Sequence, residues 1–314
     1  MWLYNLGMMN NLLSKLFPQQ NIFSKNLSPA QALIVFFLLT IIFSMVASLI
    51  PQDGFFAFDW IHFFGIGNIP IFYPPWTKFF ISILTYPILV GLTLAAVGIA
   101  SYLRAIHPIS MMAVFFSLPV LWTIFLGQLD GLVVLGTLCL PWLAPLALIK
   151  PQLSLWAFGS RKEYILALLL TFLTSLSIWG WWPTDIFSVW TIHEEGKYVN
   201  DISIGLAGLP VALVLFWFSR GDIDMLMASG AFITPYLLPY NLIVLTPAIA
   251  RLSPLSSLIA CVLSWLPLSA NWLGDQGWWL GWLFLIWLWA GLACKRYNVK
   301  NKFSLSSFLK LKIS

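Results

Sequence analysis

The chain has 314 residues, of which 60% are hydrophobic and only 9% are charged, with a formal net charge of +5. This composition excludes a water-soluble domain, because apolar stretches as long as a bilayer-spanning helix recur along most of the sequence. The positive charge does not indicate nucleic-acid binding, since the basic residues collect at helix ends and in the C-terminal tail, where the positive-inside bias and anionic headgroups favour them. We therefore predict an all-α polytopic membrane protein, a helical bundle of about nine to eleven transmembrane or re-entrant helices.

Three regions are predicted along the chain. Residues 1–30 form a cytoplasmic N-terminal arm, residues 31–294 form a multi-helix membrane domain, and residues 295–314 form a basic cytoplasmic tail. The first apolar run has no small-residue cleavage site behind it, which indicates a retained first helix. The membrane domain is predicted to contain spans at residues 31–50, 77–103, 109–126, 130–149, 163–182, 203–219, 252–270 and 277–294.

Residues 223–250 are too interrupted for a plain crossing. Pro235 and Pro239 divide this stretch into two pieces that are each short for a full span, because proline removes a helix hydrogen bond. We therefore expect a broken hairpin that enters and leaves the membrane on the same side. This topology keeps the basic C-terminal tail on the side of the N-terminal arm.

The distribution of Lys and Arg sets the predicted orientation. With the N-terminus inside, most basic residues, Lys150 among them, fall on the inner side, and only Lys78 and Lys197 fall outside. We therefore predict a multi-pass plasma-membrane protein with both termini in the cytoplasm. Two long loops, residues 51–76 and residues 183–201, then share the outer face with the turn at residues 128–130.

The first outer loop concentrates ionisable side chains that are scarce elsewhere in the chain. Asp53, Asp59 and His62 lie close together there. Ionisable residues at the mouth of a membrane helix indicate a functional site. Two structural interpretations stay open beside this one: Asp59 as a solvated loop carboxylate that caps a turn, and His62 as an interfacial imidazole among aromatic residues.

Several short motifs occur in a fixed order, beginning within this loop. They are Asp59, then Tyr73-Pro74-Pro75 before the second span, Gly127-Gln128 at the start of the fourth, Lys150-Pro151 at its end, and the late stretch from Thr234 to Asn241. In this order they resemble the polytopic glycosyltransferases of the GT-C class, most closely family 87, which use polyprenol-phosphate sugars. The resemblance runs from Asp53 to Thr246. Asn241 stands where related enzymes often have a His or an Asp.

The resemblance implies a hexosyltransferase, with mannose as a candidate sugar, that faces away from the cytoplasm. Its donor would be a polyprenyl-phosphate-linked sugar, its acceptor a lipid or a glycan, and its surroundings membrane lipids. Asp59 would be the general base toward the acceptor hydroxyl, with Asp53 in reserve. The remaining expected site residues fall into two groups: Lys78, Tyr73, Gln128 and Asp130 at the donor, with His62, Asn241 and Lys197 as further candidates.

Other interpretations of these residues and of the chain stay open. Gln128 and Asp130 can simply satisfy backbone groups at a tight turn, and Lys150 is expected to be a snorkelling lysine at a helix end. A transporter or flippase of a lipid-linked substrate, or a non-catalytic membrane scaffold, is the alternative function. No cofactor is predicted and a divalent cation is left open, since the three cysteines form no CxxC pair and the sequence has no Walker, HExxH or GxSxG motif.

Overall fold

The computed structural model of this chain describes residues 27–53, 55–64, 73–184 and 200–297. This part of the chain is helical and contains no strand, as its composition predicts. The α-helices are α1 Pro29–Ala47, α2 Thr77–Ile81, α3 Tyr86–Arg104, α4 Pro108–Phe115, α5 Leu118–Leu126, α6 Asp130–Leu138, α7 Ala144–Ala147, α8 Pro151–Ser154, α9 Lys162–Trp179, α10 Leu209–Ser219, α11 Ile223–Gly230, α12 Thr246–Ile249, α13 Pro254–Trp265, α14 Ala270–Leu273 and α15 Gly281–Arg296. Further helical turns are a π-helix at Trp60–Phe64 and 3₁₀ helices at Leu155–Ser160, Gly205–Gly208, Pro239–Leu245, Leu266–Ser269 and Gly274–Leu280.

Five helical segments in the described residues are long and apolar enough to cross a membrane. They are Pro29–Ala47, Tyr86–Arg104, Pro108–Leu126, Lys162–Trp179 and Pro254–Arg296. Two shorter apolar segments are Gly205–Ser219 and Pro239–Ile249. This count is lower than the predicted nine to eleven helices, because several predicted spans are interrupted by turns.

Helix α3 is the central element of the bundle. It begins at Tyr86, after Thr85 in an extended conformation, so the predicted span at residues 77–103 is in fact two helices, α2 and α3. Its 19 residues give a length of about 28 Å, close to the thickness of the hydrocarbon core. A Cβ at Gly91 would collide with Ser44 of α1, so this glycine permits the close approach of the two helices.

The predicted fourth span is not a crossing but a hairpin, which we call the 130–150 hairpin. Helix α6 ends at Leu138, and the chain then turns back, so that a Cβ at Gly136 would collide with the backbone of Ala147. At the end of the hairpin the Lys150 ammonium lies 2.6 Å from the Asp130 carboxylate. The prediction that Lys150 is a snorkelling lysine on the opposite side from Asp130 is therefore wrong.

A second hairpin, the 222–251 hairpin, has both of its ends at one end of the bundle. The Arg251 guanidinium lies 2.7 Å from the Asp222 carboxylate. Helix α11 leaves from this point, and the 3₁₀ helix Pro239–Leu245 and α12 return to it. This geometry agrees with the expectation that the segment enters and leaves at the same end.

Buried ion pairs hold the base of the 222–251 hairpin against α3. Arg104, the last residue of α3, lies 3.2 Å from Asp224, and Arg251 lies 2.8 Å from the same carboxylate. The two guanidiniums and the carboxylates of Asp222 and Asp224 balance in charge, as buried ionic groups require. Arg296 of α15 approaches the rim of this cluster at 3.4 Å from Asp222.

The last long segment also folds back on itself. Trp287 in α15 donates its indole N–H to the carbonyl of Ser256 in α13 over 3.0 Å. Lys295, near the end of α15, donates to the carbonyl of Arg251, just before α13, over 3.0 Å. Helices α13 and α15 are therefore antiparallel, in agreement with the two spans predicted at residues 252–270 and 277–294.

Candidate functional site

Asp59 lies on a short helix that packs the first long loop against the bundle. The backbone N–H of Ala57 donates to the carbonyl of Phe125 over 2.8 Å, and Ala57 is fully buried. Ala57 has a φ of +58°, a left-handed conformation that is uncommon for a residue other than glycine. The following π-helical turn, Trp60–Phe64, is a geometry that occurs frequently at functional sites. These features fix Asp59 beside the C-terminal end of α5.

Gly127 allows the short helix that carries Asp59 to pack closely against the end of α5. It ends α5 with a φ of +72°, and a Cβ at this position would lie 2.7 Å from the Cβ of Trp60. The hydroxyl of Tyr86 donates to the carbonyl of Ile124 over 3.0 Å, so the N-terminal end of α3 is tied to the same turn. The helix that carries Asp59 therefore rests on a turn that only glycine fits.

A continuous chain of hydrogen bonds starts at Asp59 and runs into the bundle. The Gln128 amide Nε2 donates to Asp59 Oδ2, and the Lys150 ammonium donates to Gln128 Oε1 over 2.6 Å. Lys150 also donates to Asp130 Oδ2 over 2.6 Å. Asp130 Oδ1 in turn accepts a hydrogen bond of 2.9 Å from Asn241 Nδ2. Residues from the first loop, from both ends of the 130–150 hairpin and from the 222–251 hairpin thus meet at one place.

Lys150 is the central member of this chain of hydrogen bonds, and its side chain is almost fully buried. Its side chain is 7% exposed, and that of Asp130 is 1% exposed. The ammonium lies 4.8 Å from the centre of the Tyr240 ring and 5.6 Å from that of Tyr73. Two aromatic faces, one carboxylate and one amide oxygen therefore stabilise a buried positive charge.

The two carboxylates of the first loop have opposite electrostatic environments. Burial raises the pKa of Asp59 above its ordinary value, although the hydrogen bond from Gln128 and the charge of Lys150 oppose this shift. Asp53 is exposed, and the backbone N–H groups of Phe56 and Phe55 lower the pKa of its carboxyl. Asp59 is therefore the more basic of the two, whereas Asp53 closes a local turn.

The remaining predicted residues lie outside the hydrogen-bonded chain. His62 is exposed; its Nδ1 is 2.8 Å from the Phe58 carbonyl, and its ring stacks on the Phe58 ring. Lys78 is exposed on α2, where its ammonium makes no hydrogen bond or ion pair with the residues that the structure describes. Lys197 lies outside the described residues. Asp59, Tyr73, Gln128, Asp130 and Asn241 are brought together, and Asp53, His62 and Lys78 are not part of that group.

Metal binding has no support in the described ranges. Within residues 27–53, 55–64, 73–184 and 200–297, no group of three or more His, Cys, Asp or Glu side chains is arranged to hold a metal ion. Asp59 and Asp130 are instead bridged by Gln128 and Lys150. The chemistry that this arrangement supports directly is proton acceptance by a partly buried carboxylate.

Two residues of the site were not predicted from the sequence. Charge counting places Lys150 on the inner side of the membrane, away from Asp59, and Tyr240 is not among the predicted site residues. A usable signal was present: Pro141 and Pro145 fall inside the predicted span at residues 130–149. The same rule that breaks residues 223–250 at two prolines applies here and gives a hairpin that returns Lys150 to Asp130.

Comparison of the chain with protein-family models, with curated proteins and with solved structures finds no match in any of the three. The residues that the structure describes form an all-helical fold with apolar helices compatible with a membrane. The likeness to GT-C glycosyltransferases stays a prediction that depends on the motif residues.

Proposed function

We propose that this chain is a membrane glycosyltransferase that moves a hexose, with mannose as a candidate, from a polyprenyl-phosphate donor to a hydroxyl of a lipid or glycan acceptor on the non-cytoplasmic face. The observation that carries the proposal is the environment of Asp59. One carboxylate oxygen accepts the Gln128 amide, and the other makes no hydrogen bond to any residue that the structure describes. A half-buried carboxylate held in this way presents a free oxygen to a substrate hydroxyl.

In the proposed reaction the acceptor oxygen attacks the anomeric carbon of the donor sugar. The bond between that carbon and the phosphate oxygen breaks, and the polyprenyl phosphate leaves with the electron pair. The proton of the acceptor hydroxyl passes to Asp59. Burial, which raises the pKa of Asp59, increases its basicity and so favours this transfer.

The departing phosphate needs positive charge or hydrogen-bond donors. Lys150 is already engaged by Asp130 and Gln128, so it is poorly suited to receive a second anion. Lys78 is exposed on α2, a few residues beyond Tyr73, and its ammonium has no partner among the described residues. Lys78 is therefore the residue that we assign to the donor phosphate, with Tyr73 beside the site.

The test is transfer of radiolabelled sugar from polyprenyl-phosphate donors to lipid and glycan acceptors by the purified protein. We expect Asp59→Asn to reduce transfer on the order of 100-fold or more, because the general base is lost. Asp275→Asn, which neutralises an exposed carboxylate at the start of the 3₁₀ helix Gly274–Leu280, is the matched control and keeps wild-type activity. Lys78→Met should raise KM for the donor. Wild-type protein that transfers nothing from a panel of donors would exclude the proposal.

A second candidate function is transport of a lipid-linked substrate. It is favoured by one observation: two broken hairpins meet through Lys150, Asp130 and Asn241, and transporters build their substrate sites from broken helices with buried ionisable residues. Proteoliposomes containing a fluorescent lipid-linked sugar separate the two functions. Movement of the lipid across the bilayer without sugar transfer supports the transporter, and neither activity supports the scaffold.

A further inference from the structure

We infer that Gln128, Lys150, Asp130 and Asn241 form a positioning relay that orients the Asp59 carboxylate and connects it to the tip of the 222–251 hairpin. The inference rests on the proposed function, because it names the residues that hold the base of that reaction. None of the relay residues other than Gln128 bonds to Asp59. Lys150, Asp130 and Asn241 therefore act through Gln128 and are positioning residues, not catalytic ones.

The relay has a fixed direction because its charged members are unambiguous. An ammonium only donates hydrogen bonds, and an ionised carboxylate only accepts them. Lys150 donates to Gln128 Oε1, which leaves Gln128 Nε2 to donate to Asp59. Turning this amide over would place its NH₂ group against the ammonium and its oxygen against the carboxylate.

The second amide is fixed in the same way. The backbone N–H of Leu238 donates to Asn241 Oδ1 over 2.9 Å, so Asn241 Nδ2 points to Asp130. Asp130 thus has one oxygen on Asn241 and the other on Lys150. The direction of each hydrogen bond from Leu238 to Asp59 is therefore determined. The alternative role of Gln128 and Asp130, which is to satisfy backbone groups at a tight turn, does not require this.

Several charged or titratable groups surround Asp59. Lys150 and Asp130 come from the 130–150 hairpin and His62 from its own helix, while Tyr240 and Tyr73 line the same region. Lys150 and Asp130 act on the pKa of Asp59 in opposite directions. Replacing both together removes the relay, while their direct electrostatic effects on Asp59 oppose each other, that of Lys150 being the larger.

Infrared titration of Asp59 in the purified protein tests the relay directly. The Asp59 signal is the carboxyl band that disappears in Asp59→Asn. Gln128→Ala should raise the pKa of Asp59 by about one unit, the shift expected from losing one hydrogen bond to a charged group. The double variant Asp130→Asn/Lys150→Met should shift it in the same direction, because the amide of Gln128 is no longer held.

The triple variant decides whether the residues act in series. Adding Gln128→Ala to the double variant should produce a shift smaller than the sum of the two separate shifts, because both changes break the same connection. Lys162→Met, which removes an exposed lysine at the start of α9, is the matched control and leaves the pKa of Asp59 unchanged. A double variant with the wild-type pKa of Asp59 overturns the relay, as does an additive triple variant.

A replacement for the double variant and a kinetic measurement complete the test. If Asp130→Asn/Lys150→Met does not fold, Asp130→Asn/Lys150→Leu removes the same ion pair with a side chain that has no hydrogen-bond donor for Gln128, and the same upward shift is expected. In an active enzyme the double variant should lower kcat on the order of 10-fold and move the acidic limb of the pH profile to higher pH. KM for the donor should be unchanged. An unchanged kcat and pH profile contradicts the relay. The infrared measurement needs no turnover, so it tests the relay even if sugar transfer is not found.

Discussion

Lys150 and Asp130 stand at the two ends of an apolar stretch that is long enough for a membrane crossing, yet their side chains are 2.6 Å apart. The intervening residues form a hairpin, and the pair it creates is almost fully buried. A buried ion pair does not by itself imply stability, but removing one partner leaves an uncompensated charge. The stability of the fold should therefore depend on the balance of this pair more than on its presence.

We expect Lys150→Met to lower the free energy of unfolding by about 3–5 kcal/mol, because Asp130 then remains as a buried charge without its cation. Adding Asp130→Asn should restore most of this loss. Thermal unfolding of the detergent-solubilised protein measures both variants. If the double variant is as unstable as the single one, the ion pair makes a net contribution of its own and the balance interpretation fails.

Asp59→Asn should change the pH dependence of stability as well as activity. Burial raises the pKa of Asp59 in the folded protein, so the favourable contribution of its protonated form is present below its ordinary value of 3.8 and disappears as pH rises through the raised pKa. Asn cannot ionise and does not lose this contribution. The thermal stability of Asp59→Asn relative to wild type should therefore increase as the pH is raised from acidic to neutral, and that of Asp275→Asn should not.

Gly127→Ala should damage the site more than its backbone strain alone explains. Gly205 also has a positive φ, +62°, but a Cβ there meets no atom within 4 Å, whereas a Cβ at Gly127 meets Trp60 at 2.7 Å. Gly205→Ala should cost about 1–2 kcal/mol from strain and leave activity intact. Gly127→Ala should cost more and, by displacing the helix of Asp59, reduce the proposed sugar transfer on the order of 10- to 100-fold. Equal effects of the two variants on activity would contradict the proposed role of this contact.

Two arginines at the base of the 222–251 hairpin differ in burial, so replacing them should cost different amounts of stability. Arg104→Met leaves Asp224, whose side chain is 1% exposed, with one cation fewer, and should cost about 3–5 kcal/mol. The Arg296 side chain is 29% exposed, so Arg296→Met should cost less than about 1 kcal/mol. Thermal unfolding of the two variants side by side checks this difference. A similar loss in both would show that Arg296 belongs to the balanced cluster.

The membrane character of the chain could be predicted from composition, because hydrophobicity over whole segments does not depend on tertiary contacts. The hairpin at residues 223–250 was also predictable, since Pro235 and Pro239 mark the break locally. The prediction of a plain span at residues 130–149 is wrong, although Pro141 and Pro145 carry the same signal. The length of the apolar run predicts a crossing, and charge counting on that topology places Lys150 on the inner side.

The way in which the site residues come together could not be predicted from the sequence, for a different reason. Asp59, Gln128 and Asn241 could be named as candidates from motifs, but their hydrogen bonds depend on how three separate segments pack. Asp53 and Asp59 differ in burial, and no local sequence feature specifies which of two loop carboxylates is buried. Lys78 and Lys150 were likewise indistinguishable by residue type, although one is exposed and the other is nearly enclosed.

The 222–251 hairpin is clamped at both of its ends. Arg104 and Arg251 hold its base, and Asn241 holds its tip against Asp130. Sliding the hairpin along the membrane normal would break buried ionic contacts at one end or hydrogen bonds at the other. These contacts fix the side of the site that the hairpin forms, so the bulky substrate of the proposed function would enter from the side of the loop that carries Asp59.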